Sequence, residues 1–219
     1  LLLSVVKENL NSVHGCLGMD ILGEIASCGS IGAPVELLYD EMAALVKWLS
    51  VDAPGFRTIS VNVKPYGEAG ATAAQELGIA AATAIEYMRE LGKRGIEAED
   101  AARHFVFHLP IGSTFFTEIA KFRALRVIWA RIAEECELGG QAEKARIFAE
   151  TPQINKSRTD AYVNMLRTIN EACAAVLGGV DVISVSGYDE VFRAPDDFSR
   201  RVARNVQIVL EEESHLNKV

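Results

Sequence analysis

The chain has 219 residues, 49% hydrophobic and 24% charged, with a formal net charge of −8. That much apolar material suffices for one large core and argues against disorder, while an acidic chain without a basic tract lacks the electrostatic footprint of sequence-independent nucleic-acid binding. No stretch reaches the ~18 uninterrupted apolar residues of a membrane span, and the opening Leu1-Leu2-Leu3-Ser4-Val5-Val6-Lys7 is too short, with its charge on the wrong side, to read as a transmembrane segment or an ordinary signal peptide.

In chain order, His14 to Gly18 reads as a short strand and Pro34 to Ser50 as an amphipathic helix. Thr58 to Val63 is a β-branched strand, followed by a helical run from Gly70 to Gly92. Phe105 to Leu109 is the next strand and Phe115 to Cys136 the next helix. Arg146 to Ala149 is a weaker strand. Ala161 to Leu177 is a helix closed by Gly178-Gly179, a C-cap signal. Val180 to Val185 is the last strand and Phe198 to Glu213 the last helix.

This alternation argues for βαβ units on a parallel sheet. The strands are nearly all apolar, as expected where both faces are covered. About five βα units are counted where a closed barrel needs eight. The expected class is therefore α/β, part of a (β/α)8 barrel, with residues 1–219 forming a single domain. The chain opens without Met and stops just after a helix, so it is expected to be a piece of a longer protein.

Cys16, Cys28, Cys136 and Cys173 show no CxxC spacing and read as reduced thiols of a cytoplasmic protein. His14, His104, His108 and His215 form no HxxxH or HExxH pattern, and Phe105-Val106-Phe107 puts His104 and His108 along a strand, so no metal site is expected. GxGxxG, Walker A and GxSxG patterns are absent. No alternative polar cluster is legible at the strand ends.

Three segments carry a more specific signal. Tyr66-Gly67-Glu68-Ala69-Gly70-Ala71-Thr72-Ala73-Ala74-Gln75-Glu76-Leu77 follows a strand and opens a helix. Phe115-Phe116-Thr117-Glu118-Ile119-Ala120-Lys121-Phe122-Arg123-Ala124-Leu125-Arg126-Val127-Ile128-Trp129-Ala130 is the most distinctive. The third runs from Asp160 to Thr168, through Gly178-Gly179 and Asp189-Glu190, into Pro195 to Gln207. In this order they resemble the methylmalonyl-CoA mutase family along nearly the whole chain. The resemblance implies a (β/α)8 barrel, through which CoA threads, followed by a separate cobalamin domain marked by DxHxxG. It also implies adenosylcobalamin-dependent radical interconversion of methylmalonyl-CoA and succinyl-CoA. The DxHxxG motif does not occur in this sequence.

The departures from that pattern point to a subunit without catalysis. Where the family's catalytic chains have Tyr-His-Met-Gln, this chain has Lys64-Pro65-Tyr66-Gly67, so the thioester-binding His falls at Pro65, which has neither a donor side chain nor an N–H. The Arg that pairs with the substrate carboxylate falls at Cys28, and a thiol cannot make that bidentate contact. A barrel Gln falls at Glu150, which would repel a carboxylate substrate. Glu190 matches a family Glu near the adenosyl group.

The leading expectation is the small, non-catalytic subunit of a heterodimeric mutase, supporting a catalytic large subunit. No catalytic residue is assigned, Glu190 is the one candidate cofactor contact, and no cobalamin is expected on this chain. Self-association is a further expectation, because unpaired sheet edges invite pairing. The alternative is a competent acyl-CoA mutase with altered substrate contacts. Within the motifs, core packing is expected of Phe116, Ile119, Ala120, Phe122, Ala124, Val127 and Ile128, of Trp48, and of Trp129. Lys121, Arg123 and Arg126 are expected to reach water, Gly67 and Gly70 to shape a tight turn, and Arg200, Arg201 and Arg204 to form a solvated face.

Overall fold

The computed structural model describes residues 13–140 and 142–218. The apolar opening at 1–7 lies outside the described residues. Five strands form one sheet in the order of the sequence: β1 (Gly15–Met19), β2 (Phe56–Asn62), β3 (Phe105–Pro110), β4 (Ile147–Glu150) and β5 (Val182–Ser184). β1 pairs in parallel with β2, and β4 with β5, where Phe148, Ala149 and Glu150 face Val182, Ile183 and Ser184. Between β2 and β3, Ile59 donates to the His104 carbonyl and Val63 to that of His108, a register that advances together as parallel strands require. This is the strand order of part of a (β/α)8 barrel, the expected class.

Helices α1 (Ile21–Cys28) and α2 (Val35–Asp52) follow β1, while α3 (Lys64–Glu68), α4 (Ala73–Gly92) and α5 (Ala98–Arg103) follow β2. α6 (Phe115–Glu135), α7 (Val163–Leu177) and α8 (Asp197–Ile208) follow β3, β4 and β5. The expected elements are present, with three short helices added. α1 is set by its ends: Asp20 accepts from the Gly23 N–H, and Gly29 closes the helix at φ 72°. α3 carries Pro65 in its first turn, where a missing N–H costs little. α5 has Glu99 and Asp100 in its first turn and Arg103 in its last, matching the helix dipole. The last helix is shorter than expected, because the backbone widens to a π-helical turn at Val209–Glu213. Among the described residues, no helix is long and apolar enough to cross a membrane.

The described residues fall into two compact units. The first takes those within Leu1–Asn62, Ile79–Phe107 and Ile128–Ala145. Its centre is aromatic. Tyr39, Tyr87, Phe105, Phe107 and Trp129 follow one another at ring separations of 5.0–6.5 Å, mostly edge-on, the arrangement favoured by ring quadrupoles. Met42, Val46, Ile59 and Leu91 also have almost no exposed surface, and Leu49 packs with Ala53 and Phe56 in a second cluster. Trp129 Nε1 donates to the Ala142 carbonyl at 2.9 Å, so its one polar atom is satisfied. Trp48 departs from expectation: it is 38% exposed on α2 and is not a core residue.

The second unit comprises Val63–Gly78, His108–Val127 and Arg146–Val219, as far as these are described. Ala172, Val185, Ala203, Val206 and Leu210 pack α7, the end of β5 and α8 together. The side chains of α6 overturn part of the sequence reading. Phe116 and Val127 are 81% and 63% exposed, whereas Lys121 is buried. Its ammonium reaches Glu76 at 2.7 Å, Glu118 at 2.5 Å and the Pro110 carbonyl at 2.7 Å. An ammonium can be buried in this way because two carboxylates and a carbonyl replace its water. Arg123 and Arg126 lie at the surface but are tied down, donating to the carbonyls of Leu177 and Gly179.

Candidate functional site

In parallel α/β folds the chemistry gathers at the C-terminal ends of the strands. In the second unit those ends present Lys64, just after β2, then His108 on β3, Glu150 closing β4, and Ser184 closing β5. Three of them meet. Lys64 Nζ lies 2.7 Å from Glu150 Oε1, and His108 Nε2 lies 2.9 Å from Glu150 Oε2. The His108 ring rests on Phe148, with centroids 4.5 Å apart. Side-chain exposures of 24%, 14% and 19% for Lys64, His108 and Glu150 place the cluster in a partly dry environment. Burial opposes ionisation of Glu150, but the hydrogen bonds from His108 and Lys64 outweigh it and hold the carboxyl below its ordinary value.

This cluster is not visible as such in the sequence, where no alternative polar cluster is legible at the strand ends. Lys64 was seen only as a replaced position, and His108 only as a residue without metal spacing. The usable signal was that each falls at or just past the end of a strand. Chemically, the cluster joins two donors to one carboxylate. With one donor on each oxygen, and its charge held by Lys64 and His108, the Glu150 carboxylate is a weaker base than a free one.

The structure places the other expected positions as follows. Pro65 sits half-buried in the first turn of α3, beside Lys64. Gly67, two residues on, has space for hydrogen only: a Cβ there would collide with Pro110 and lie 2.8 Å from Glu76 Oε1. Gly70 adopts φ 96°, as a tight turn into α4 requires. Cys28 is the last residue of α1, in the first unit, where its exposed thiol donates to Glu24 Oε1 at 3.3 Å. That hydrogen bond and the Glu24 charge raise the thiol's pKa.

Glu190 follows β5 and lines a cavity of about 320 Å³ together with Glu150, Ser184, Ser186, Arg200 and Arg204. Two of the three arginines of α8 thus face this cavity, while Arg201 lies over the Phe198 ring at 5.6 Å. The neighbouring turn is held by Asp189, which is fully buried and accepts from Arg193 Nε at 2.6 Å. The loop after β4 is pinned in turn. Glu68 accepts the N–H groups of Gln153 and Ile154, and the buried Lys156 pairs with Glu171 at 2.5 Å. Burial drives the Lys156 pKa down and the Glu171 pKa up, both toward the neutral forms.

A family model described as methylmalonyl-CoA mutase matches residues 5–219. The methylmalonyl-CoA mutase small subunit of Streptomyces virginiae is 39% identical over 209 residues, covering 95% of this chain and 33% of its own length. That of Porphyromonas gingivalis is 42% identical over 170 residues, covering 77% of this chain and 28% of its own length. The methylmalonyl-CoA mutase of Escherichia coli is 34% identical over 209 residues, covering 94% and 29%. The chain spans about a third of the length of the curated relatives it matches.

Proposed function

The chain belongs to the methylmalonyl-CoA mutase family, and from that premise we propose that it is the barrel segment of a small, non-catalytic subunit, supporting a large subunit that interconverts methylmalonyl-CoA and succinyl-CoA in the cytoplasm. The observation that carries this reading is the state of the strand ends. Pro65 stands where the resemblance puts a hydrogen-bond donor for the thioester, and beside it Lys64 is turned onto Glu150, which also engages His108. Lys64, His108 and Glu150 thus engage one another there. A loss of transition-state contacts at roughly 1.5–3 kcal/mol for each charge-assisted bond removes several decades of rate.

The family's cofactor supplies radical chemistry through its cobalt–carbon bond when bound. Of this chain's residues, Glu190 is the one that the resemblance puts near its adenosyl group. Glu190 lines a cavity of about 320 Å³. In this reading the cobalamin of the active complex is carried by the large subunit.

Co-expression with a large subunit carrying Tyr-His-Met-Gln before Glu-Ala-Gly, together with its cobalamin domain, tests the partnership. A stoichiometric heterodimer on size exclusion with light scattering is expected. Two species that elute separately at micromolar concentration would contradict it.

A further inference from the structure

Two donors on different elements converge on the two oxygens of one carboxylate: Lys64 Nζ from the start of α3, and His108 Nε2 from β3. We infer that Lys64 and His108 form a binding site for a small planar carboxylate, which Glu150 fills as a resident ligand. This goes beyond the proposed function and stands on the geometry of the chain whichever way that proposal turns out.

Part of this placement is independent of Glu150. The Val63 N–H donates to the His108 carbonyl at 2.8 Å, joining the segment that carries Lys64 to β3. The Phe148 ring, 4.5 Å from that of His108, fixes the imidazole plane. With the Glu150 side chain removed, His108 would therefore keep its place, and the backbone would keep the root of Lys64 beside it, as a largely preorganised site requires.

Space and access are present as well. Glu150 itself lines the cavity of about 320 Å³, so truncating its side chain joins the vacated volume to an existing opening. Arg200 and Arg204 at that cavity favour an arriving anion, and Glu190 opposes it. In the native chain an external carboxylate competes with one tethered at the site, whose effective concentration is millimolar or higher. The wild-type protein should therefore exclude formate and acetate, and a chain without the Glu150 carboxylate should admit them.

The test compares the wild-type chain, Glu150→Ala, and Glu150→Ala combined with Lys64→Met, in sodium formate, sodium acetate and sodium chloride at equal ionic strength. Thermal unfolding is the readout. Glu150→Ala should gain a saturable rise in midpoint with formate and acetate over chloride, with a dissociation constant on the order of 1 mM. The wild type and the double variant should show no such difference. If Glu150→Ala does not fold in chloride, its yield on refolding from urea is read instead, and formate should restore it. Equal behaviour of Glu150→Ala in formate and chloride, by either readout, overturns the inference. So does a formate effect of the same size in the wild type or in the double variant.

Discussion

Lys64 and Glu150, 86 residues apart in sequence, meet at 2.7 Å where β2 and β4 end. The same carboxylate takes His108 from the strand between them. The C-terminal ends of three successive strands are thus linked through one side chain, in the place where a parallel α/β fold ordinarily meets its ligand.

Replacing Glu150 with Gln keeps the volume and removes the charge. Because hydrogen bonds hold the folded carboxyl below its ordinary 4.5, its stabilisation is present at neutral pH. That contribution shrinks as pH falls below about 4.5 and is gone once pH is below the folded value. Urea unfolding should show Glu150→Gln less stable than wild type by about 1–3 kcal/mol at pH 7, with the gap narrowing below pH 4.5. A gap that stays constant to pH 3 would show that the pair contributes nothing through charge.

His104 is 5% exposed and is held between the hydroxyls of Thr58, at 2.9 Å, and Ser50, at 3.0 Å. Burial, helped by the Arg57 charge, lowers its pKa from 6.5 to about 4. The folded state then binds fewer protons than the unfolded state between these values, so stability is full above 6.5 and falls as the pH drops toward 4. The loss attributable to His104 is about 3 kcal/mol. His104→Gln should flatten that part of the pH profile, and an unchanged slope would place the acid sensitivity elsewhere.

Lys121→Met should be among the most damaging single changes. It leaves Glu76 and Glu118 facing each other in a site 7% exposed at each side chain, at a cost of about 3–5 kcal/mol. Burial already raises the Glu76 pKa in the native chain. A raised carboxyl favours the fold at low pH, so the variant should recover part of its deficit between pH 7 and 5. A deficit that grows on acidification would contradict the ion-pair account.

Two glycines near one turn should respond oppositely to alanine. At Gly67 the new methyl meets Pro110 and Glu76, an overpacking cost of about 1–3 kcal/mol. At Gly78, within α4, nothing lies within 4 Å, so alanine should stabilise by about 0.5–1 kcal/mol through helix propensity and a less flexible unfolded chain. Chemical denaturation midpoints of the two variants should move apart, and a shift in the same direction would mean that α3 relaxes freely.

The strands and long helices were legible because their signals are local: apolar runs bounded by glycine, and 3.6-residue periodicity between them. Short helices were not. Lys64-Pro65-Tyr66-Gly67-Glu68 holds a proline and a glycine, which read as a turn and yet suit a single helical turn at a strand end. Lys121 was misplaced because burial of an ammonium depends on Glu76, 45 residues away, and on the Pro110 carbonyl. The same reason hid the cluster at the strand ends. His108 and Glu150 are 42 residues apart and become neighbours only once β3 and β4 pair. Pro65, Cys28 and Glu190 were found only through resemblance to a family, since nothing in their local pattern marks them.

The measurement that bears most directly on the central claim is a coupled assay for succinyl-CoA, run with methylmalonyl-CoA and adenosylcobalamin on this chain alone and on its complex with a large subunit. The account predicts no product above background from the chain alone, and turnover only when the large subunit is present. Succinyl-CoA formed by the chain alone would contradict it, because Lys64, His108 and Glu150, bound to one another in the native structure, would then have to be serving a substrate.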